Sequence, residues 1–267
     1  MKSLSLAVFT LLLCTLFSCS KNNKDHTEEP DNTPLQLVKK ISRYEFNGQF
    51  YTDSIAYSYD TAGHLITIVD LKTNLALRRF IYNGENLTAL IDYLNGGQVD
   101  TLKNPIKLLD GGNTIFLDHT RPNPKGGIDT IQITYKWSGN QIPEIWTYLH
   151  LVNPEIRSFQ RSLFSYNASG NEYEHTELLE DGSSHLQTRG LVYDQKKNYF
   201  STIPRLNFIF GSWGFPGATR SVNNPVKAEF PGGRQVEYIW TYNDKDYPLT
   251  MQEKGKNYLA LELKYNK

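Results

Sequence analysis

One stretch of the chain has the pattern of a complete β-hairpin, and this pattern limits the fold more than any other feature. The stretch is Ile55-Ala-Tyr-Ser-Tyr-Asp-Thr-Ala-Gly-His-Leu-Ile-Thr-Ile-Val69. Large and small residues alternate up to Tyr59, and β-branched residues are dense after Leu65, as is typical of strands. Asp60 can accept hydrogen bonds from the nearby backbone, and Gly63 tolerates the positive φ that reverses the chain. The stretch therefore predicts a strand, a tight turn and a second strand.

Degenerate copies of this unit recur to the C-terminus. Strict alternation of apolar and polar residues over 131–137 gives the clearest single strand. Turn signals separate the extended segments, at Asn47-Gly48, Asn83-Gly84, Asn95-Gly96-Gly97, Asp110-Gly111-Gly112, Ser138-Gly139-Asn140, Asn167–Gly170 and Glu180–Gly182. This organisation predicts an all-β fold, an antiparallel hairpin-repeat meander that forms a curved sheet, a half-barrel or an open barrel. A β-sandwich is the alternative, because a large twisted sheet tends to curl or to split in two.

Three segments depart from the regular pattern. Pro105 lies inside the strand predicted over 101–109, which favours an edge strand or an irregular segment there. The run Arg121–Gly127 contains two prolines and two glycines and predicts a loop. Apolar residues are too dense over Pro204–Phe210 for a one-faced strand, and we expect the single short helix of the fold in that segment.

The N-terminus has the features of a bacterial export signal. Residues 1–18 combine Lys2 with an apolar run from Leu4 to Phe17 that is too short to span a membrane. Leu16-Phe17-Ser18-Cys19 resembles the cleavage box of bacterial lipoproteins, which implies that Cys19 becomes the lipid-modified first residue. Residues 19–34 are polar and carry prolines, so we expect a flexible tether. A single all-β domain is then predicted over 35–267, anchored to the cell envelope and most simply to the outer membrane, on a face that the sequence leaves open.

Composition excludes several classes of function. The chain has 28 basic and 28 acidic residues with no basic block, so a nucleic-acid partner is not expected. Its two cysteines are Cys14, inside the signal, and Cys19. The predicted domain therefore contains no disulfide and no thiolate metal site. Charged residues such as Arg78, Arg79 and Glu174 fall on both faces of the predicted strands, which disfavours a lipid-facing band of the kind found in outer-membrane barrels.

No catalytic or metal-binding motif is present. The six histidines lack metal-ligand spacing, and there is no nucleophile elbow, phosphate-binding loop or dinucleotide fingerprint. We therefore assign no catalytic residue, no metal and no cofactor. Acids such as Glu144, Glu172, Glu174 and Glu177 lie on predicted strands, so a hydrolase with an unrecognised carboxylate pair stays open as a minor alternative.

The chain is rich in aromatic residues, with 17 Tyr, 13 Phe and 4 Trp. Most are expected to pack in the sheet core, as aromatics do in ordinary strands. Trp213 and Phe215 differ because they lie in a glycine-rich loop with Arg220 nearby. An aromatic on a loop can stack on a sugar ring or anchor a partner protein. We predict a ligand surface at these three residues, together with the segment 119–127.

The hairpin unit also resembles a known repeat. Tyr57-Ser-Tyr-Asp-Thr-Ala-Gly-His-Leu65 is similar to the Tyr-Asp (RHS-like) repeat of bacterial surface and toxin-shell proteins. The segment Tyr238–Thr250 is similar to the ending of Bacteroides-type envelope lipoproteins built from such units, with Asp246 where glycine is usual. This resemblance implies a hairpin-repeat sheet and an envelope location, and it implies no activity. We therefore expect a non-enzymatic lipoprotein that binds carbohydrate or an envelope partner protein, or else a structural component of an envelope complex.

Overall fold

A computed structural model describes residues 35–93, 101–109, 111, 113–123, 125–139, 141–152, 154–202 and 221–266. The strands in these ranges are β1 (Leu37–Phe46), β2 (Gln49–Tyr59), β3 (Leu65–Asp70), β4 (Leu75–Asn83), β5 (Asn86–Tyr93), β6 (Thr101–Leu109), β7 (Thr114–Pro122), β8 (Ile128–Ser138), β9 (Gln141–Val152), β10 (Glu155–Tyr166), β11 (Glu172–Leu178), β12 (Ser184–Tyr193), β13 (Pro225–Phe230), β14 (Arg234–Tyr242), β15 (Pro248–Glu253) and β16 (Leu261–Tyr265). Short 3-10 turns occur at Tyr199–Thr202 and Pro231–Gly233. Within the described ranges no α-helix is present, and none of their helical segments is long and apolar enough to cross a membrane.

Each strand pairs in antiparallel fashion with its neighbours in the chain. The first and last strands also pair, with Lys40 of β1 opposite Leu263 of β16 and Ser42 opposite Leu261. This final ladder closes the sheet into a barrel. The predicted all-β meander of antiparallel hairpins is thus confirmed, and the curved sheet closes on itself instead of splitting into the two layers of a sandwich.

Side-chain contacts support the closing ladder at two positions along β1. Gln36 donates its backbone N–H to Asn266 Oδ1 at 2.6 Å, and the backbone N–H of Asn266 donates to the Gln36 carbonyl at 3.0 Å. Further along, Arg43 donates to the carboxylate of Glu262 and, at 3.3 Å, to the carbonyl of Leu259. The two ends of the domain are therefore linked by side chains as well as by the sheet.

Three turns at one end of the barrel share the same hydrogen bonds. They span Tyr59–His64, Tyr166–Asn171 and Tyr242–Tyr247. In each turn the second residue, Asp or Asn, accepts backbone N–H bonds from the residues two and four positions later, at 2.8–3.1 Å. The fifth residue has a positive φ in all three turns and is glycine in two of them, whereas Asp246 adopts a φ of 65°. A side chain that caps its own turn, followed by a left-handed residue, reverses the chain at each of these points.

Tyrosine hydroxyls connect paired strands near this end of the barrel. In five strand pairs, a tyrosine within one residue of the end of the second strand donates to the backbone carbonyl of the first or second residue of the first strand. These bonds run from Tyr59 to Leu37 (2.8 Å), Tyr82 to Leu65 (3.1 Å), Tyr166 to Ile142 (3.1 Å), Tyr193 to Glu172 (2.5 Å) and Tyr265 to Pro248 (2.9 Å). Gly190 leaves room for one of them, because a Cβ there would lie 2.3 Å from the Tyr193 hydroxyl.

Buried side chains concentrate at this end of the barrel, which we call the packed end. The residues that begin β1, β3, β13 and β15, namely Leu37, Leu65, Pro225 and Pro248, are fully buried. The 3-10 turn Tyr199–Thr202 packs against β1 and contributes Tyr199 and Phe200 to the same apolar cluster. The core therefore fills the packed end, and the 3-10 turn is part of that filling.

The opposite end, which we call the open end, carries the turns at 47–48, 71–74 and 123–127. Large apolar side chains are exposed here, with Phe46 at 60% and Ile128 at 59% of their maximal accessible area. The barrel is thus asymmetric, with its hydrophobic core at one end and accessible side chains at the other.

The structure corrects the prediction for Pro105. Strand β6 pairs with β5 through Thr101–Pro105 and with β7 through Ile106–Leu109, so it is not an edge strand. Pro105 lies where the pairing passes from one neighbour to the other. The missing N–H of proline therefore falls at the boundary between two ladders, a place where a sheet tolerates it.

The predicted loop at 121–127 is shorter than expected. Strand β7 extends to Pro122 and β8 begins at Ile128, so β7 takes up the first residues of the predicted loop. Asn123 stabilises the turn between the two strands, because its backbone N–H donates to the Gly127 carbonyl at 3.0 Å and its side chain accepts the Lys125 N–H at 2.9 Å. The helix predicted at Pro204–Phe210 lies outside the described residues.

Removal of one tyrosine hydroxyl tests the role of these bonds in the packed end. In Tyr59→Phe the Leu37 carbonyl loses its 2.8 Å donor while the ring packing is kept. We expect the free energy of unfolding to fall by about 1–2 kcal/mol, the range for a hydrogen bond to a buried acceptor. Urea denaturation measures this change. Tyr173→Phe is the control, because Tyr173 is 49% exposed, and its effect should stay within about 0.5 kcal/mol. Equal effects of the two substitutions on the free energy of unfolding would contradict a stabilising role for the Tyr59 hydrogen bond.

Candidate functional site

A cavity of about 870 Å³ opens at the open end of the barrel. Its wall contains the first hairpin, β1 and β2, and residues of β3, β4, β14 and β15. Charged residues of both signs line it: Lys40, Arg43, Arg78, Arg234 and Lys256, with Glu45, Asp53, Asp70 and Glu253. By strand alternation the side chains of Arg43 and Glu45 point to the outer face of β1. The cavity therefore offers hydrogen-bond donors and acceptors in nearly equal number.

A β-bulge sets the direction of the β1 side chains that reach this cavity. The register of β1 against β16 shifts between Leu37 and Lys39. Beyond the shift, Lys40 lies opposite the buried Leu263, so Lys40 and Leu37 point to the same side although they are three residues apart. Ser42 and Tyr44 follow Lys40 on this face by strand alternation.

Lys40 is a basic residue of the cavity whose environment favours the neutral form of its amine. Burial lowers the pKa of Lys40 to about 8, and the charge of Asp53 opposes this shift. The cross-strand partners of Lys40 are Ile55 and Leu263, both apolar. Among the described residues Lys40 makes no ion pair within 4 Å. A desolvated amine in an accessible cavity is a recurrent property of functional sites.

Aromatic rings surround the mouth of the cavity. Tyr44 and Tyr51 face each other across the first hairpin with ring centroids 5.4 Å apart and planes only 13° from parallel. Phe50 meets Tyr258 edge to face at 4.8 Å. The charge of Asp53 and a hydrogen bond with it raise the pKa of Tyr44, which places Asp53 beside the ring pair. We call Lys40, Asp53, Tyr44 and Tyr51 the mouth cluster.

Several other charged groups of the cavity are already engaged. Arg43 binds Glu262, and Asp70 accepts the backbone N–H groups of Lys72 and Thr73 at 2.7 and 3.1 Å. Lys256 lies 3.9 Å from a carboxylate oxygen of Glu45. The groups left to meet a ligand are therefore Lys40, Asp53, Arg234 and Glu253, which have no ion pair within 4 Å in the described part of the chain. The guanidinium of Arg234 lies over the Phe230 ring, 4.4 Å from its centroid.

The structure leaves the residues chosen from the sequence untested. Trp213, Phe215, Arg220 and Cys19 all lie outside the described residues. Of the segment 119–127, residues 119–122 belong to β7, and residues 123 and 125–127 lie between β7 and β8 at the open end. The mouth cluster was missed, because the bulge at Leu37 shifts the alternation pattern by one residue. The sequence carried one signal for this cluster: Tyr44 and Tyr51 lie on either side of Asn47-Gly48, and a hairpin with that turn places the two rings opposite each other.

Two of the acids noted in the sequence have cationic partners in the structure. Burial opposes ionisation of Glu144, yet hydrogen bonds with Lys136, Trp146 and Arg161 lower its pKa overall. Glu174 is paired with Arg189 at 2.7 Å. Within the described ranges, no group of three or more His, Cys, Asp or Glu side chains could hold a metal ion.

His64 has a structural role at the packed end. Its ring nitrogens lie 3.0 Å from Asp60 and 2.8 Å from Glu85, and the ring stacks on Tyr82 at 4.7 Å. Hydrogen bonds with Glu85 and Asp60 raise the pKa of His64. The histidine therefore links the first hairpin repeat to the next turn.

The outer face of the barrel carries ion pairs at several points of its circumference. These are Arg43 with Glu262, Lys136 and Arg161 with Glu144, Arg189 with Glu174 and Glu229, and Lys254 with Glu237. Their direction follows from alternation, since Glu262 lies between the buried Leu261 and Leu263, and Glu237 between the buried Val236 and Tyr238. The outer wall is thus charged around much of the barrel.

Comparison with known proteins identifies the fold alone. No protein-family model and no curated protein matches the chain. A solved structure described as a porin-like protein from Bacteroides vulgatus ATCC 8482 is 13% identical and covers 86% of this chain and 99% of its own, with a TM-score of 0.50. A porin-like protein from Bacteroides uniformis ATCC 8492 is 10% identical and covers 88% and 98%, with a TM-score of 0.45. The likeness to the first of these agrees with the barrel described above.

Replacement of Lys40 tests its desolvation. Below pH 8 both the folded and the unfolded chain carry the Lys40 proton, so the folded state bears the full penalty of burying a charge. Between pH 8 and the ordinary pKa of 10.5 the unfolded chain binds more protons, and stability rises with pH. Lys40→Met should therefore raise the free energy of unfolding at pH 7 by roughly 2 kcal/mol, allowing for partial exposure.

The pH dependence separates this effect from a gain in packing. The advantage of Lys40→Met over the wild type should shrink as the pH rises from 8 towards 10.5, measured by urea denaturation at each pH. Lys39→Met is the matched control on the other face of β1 and should change stability little. An advantage of Lys40→Met that is constant with pH would contradict the desolvation of Lys40.

Proposed function

We propose that this protein is a non-enzymatic cell-envelope lipoprotein, held in a membrane by lipid on Cys19, whose barrel binds carbohydrate at the cavity of the open end. The observation that supports this function is the mouth cluster, in which stacked tyrosines lie beside a carboxylate and an amine. A polyhydroxylated ligand needs donors, acceptors and a flat apolar surface together. The cavity volume of about 870 Å³ falls within the usual range for small-ligand sites.

The charged outer wall supports a barrel that lies in water beside the membrane. A charged side chain facing lipid at the bilayer midplane costs roughly 2–4 kcal/mol, and a membrane barrel keeps an apolar outer band for that reason. Here ion pairs such as Lys136–Glu144 and Arg189–Glu174 occupy the outer face. Attachment would then depend on the lipid of Cys19 and on the tether of residues 19–34. The envelope location agrees with the fold of the porin-like protein from Bacteroides vulgatus.

An envelope partner protein is the second candidate ligand, and the rim of the open end favours it. Phe46, Phe50, Ile128 and Ile156 are each more than 40% exposed at this end. Exposed apolar side chains around a concave site are a common feature of protein-binding surfaces. In that case the cavity would receive a projecting side chain of the partner.

Carbohydrate binding is tested by removal of one ring of the mouth cluster. Tyr44→Ala deletes the stacking surface, and we expect the affinity for a bound glycan to fall about tenfold, corresponding to roughly 1–1.5 kcal/mol. A glycan array identifies the ligand, and calorimetry measures the affinity of each variant. Tyr173→Ala serves as the control, since Tyr173 is similarly exposed, at 49% against 43% for Tyr44, but is not among the lining residues of the cavity.

Two other outcomes of these binding measurements would point to a different site or a different ligand. Full binding by Tyr44→Ala with loss of binding in Trp213→Ala would place the ligand at the loop chosen from the sequence. Capture of a defined envelope protein, with no glycan bound by the wild type, would favour the partner-protein function.

Lipid attachment is tested at Cys19. In cells, Cys19→Ser removes the acceptor thiol, so the protein should move from the membrane fraction to the aqueous phase of a detergent partition. Mass spectrometry of the wild-type N-terminal peptide should show acyl chains on Cys19. Cys14→Ser is the control and should leave the partition unchanged, because residue 14 lies inside the predicted signal. An unmodified Cys19 in the mature wild type would refute the lipoprotein assignment.

A further inference from the structure

Lys40 differs from the other cations of the cavity in what surrounds its amine. Its cross-strand neighbours, Ile55 and Leu263, offer no carboxylate. Lys256 lies close to Glu45, and Arg43 is bound to Glu262. Arginine is a poor nucleophile at any pH at which the fold persists, since its guanidinium keeps its proton. Lys40 is therefore the cavity group best suited to react as a free amine.

The groups beside Lys40 suit a reaction that moves protons. Asp53 lies on the neighbouring strand β2 opposite Ser42, one position diagonally from Lys40 on the same face. Its charge acts on Lys40 and on the Tyr44 hydroxyl. Among the described residues Asp53 forms no ion pair within 4 Å, and its carboxylate, which is hydrogen-bonded with Tyr44, can accept a proton and return it.

We propose that Lys40 captures carbonyl ligands covalently, forming an imine between its Nζ and an aldehyde or ketone carbon in the cavity. The neutral amine attacks the carbonyl carbon, the C=O π electrons move to oxygen, and one nitrogen proton passes by way of Asp53 to that oxygen. The resulting carbinolamine loses water: its C–O bond breaks as the nitrogen lone pair forms the C=N bond, and the remaining nitrogen proton passes by way of Asp53 to the departing oxygen, which leaves Asp53 ionised again. The sum is amine plus carbonyl giving imine plus water, without an oxidant or a reductant.

Desolvation makes this chemistry accessible near neutral pH. An amine reacts only in its unprotonated form, and burial lowers the pKa of Lys40 to about 8. Roughly a tenth of Lys40 is then neutral at pH 7, whereas an ordinary lysine is almost wholly protonated. The stacked pair Tyr44–Tyr51 would hold the rest of the ligand over the amine.

This inference deepens the proposed function and rests on it for the identity of the natural ligand, because a reducing sugar exposes an aldehyde or ketone in its open-chain form. The chemistry of the amine does not depend on that identity. Glyceraldehyde, a small carbonyl compound, can therefore serve as the probe even if no glycan binds.

The experiment treats the purified full-chain protein with glyceraldehyde and sodium cyanoborohydride at pH 7.5 and maps modified lysines by peptide mass spectrometry. Cyanoborohydride supplies the hydride that converts each imine into a stable amine. We expect Lys40 to be modified at least ten times faster than Lys39, its neighbour on the outer face. Asp53→Asn should slow the modification of Lys40 and leave that of Lys39 unchanged.

Two comparisons complete the test. Lys40→Arg keeps the charge but not the nucleophile, and the fast site should disappear in this variant. Prior unfolding of the wild type in urea should equalise the rates at Lys39 and Lys40. Equal rates in the folded wild type would overturn the proposal. Fast modification of Lys40 in a protein that binds no glycan on an array would support the amine chemistry and refute the carbohydrate function separately.

Discussion

The ladder between β1 and β16 is the interaction on which the rest of the structure depends. A strand at the edge of a sheet leaves a row of backbone groups without partners, and an open meander of this size would have two such edges. Pairing of the first and last strands satisfies both rows and holds the two ends of the barrel domain together through Gln36 and Asn266. Closure also encloses an interior, so that Lys40 lies in a cavity and not on the face of an open sheet.

The barrel uses its two ends differently. At the packed end, tyrosine hydroxyls reach strand-starting carbonyls and the 3-10 turn Tyr199–Thr202 adds Tyr199 and Phe200 to the core, so this end is filled by the protein itself. At the open end the strands carry charged and aromatic side chains that the core does not cover. A rigid packed end with an accessible opposite end is a common arrangement for binding proteins, because the scaffold fixes the ligand-contacting groups.

Sequence patterns predicted the strands more reliably than the positions of their side chains. Asn47 and Gly48 adopt positive φ values of 50° and 72°, so the hairpin signal there reports local backbone chemistry directly. Pro105 led to the wrong prediction of an edge strand. The sequence cannot show that β6 pairs with β5 through its first half and with β7 through its second half. The mouth cluster escaped prediction for a similar reason, since a bulge at Leu37 changes which side chains of β1 face inward.

The sequence by itself determined the fold class and the turns, because alternation, Asx capping and glycine at left-handed positions act between residues close in the chain. Tertiary structure decided closure, the separation of a packed end from an open end, and the placement of Lys40 beside Asp53. Those features depend on register between strands far apart in sequence, such as β1 and β16. A shift of one residue moves every side chain of a strand to the opposite face. Long-range pairing therefore decides which chemistry the cavity contains.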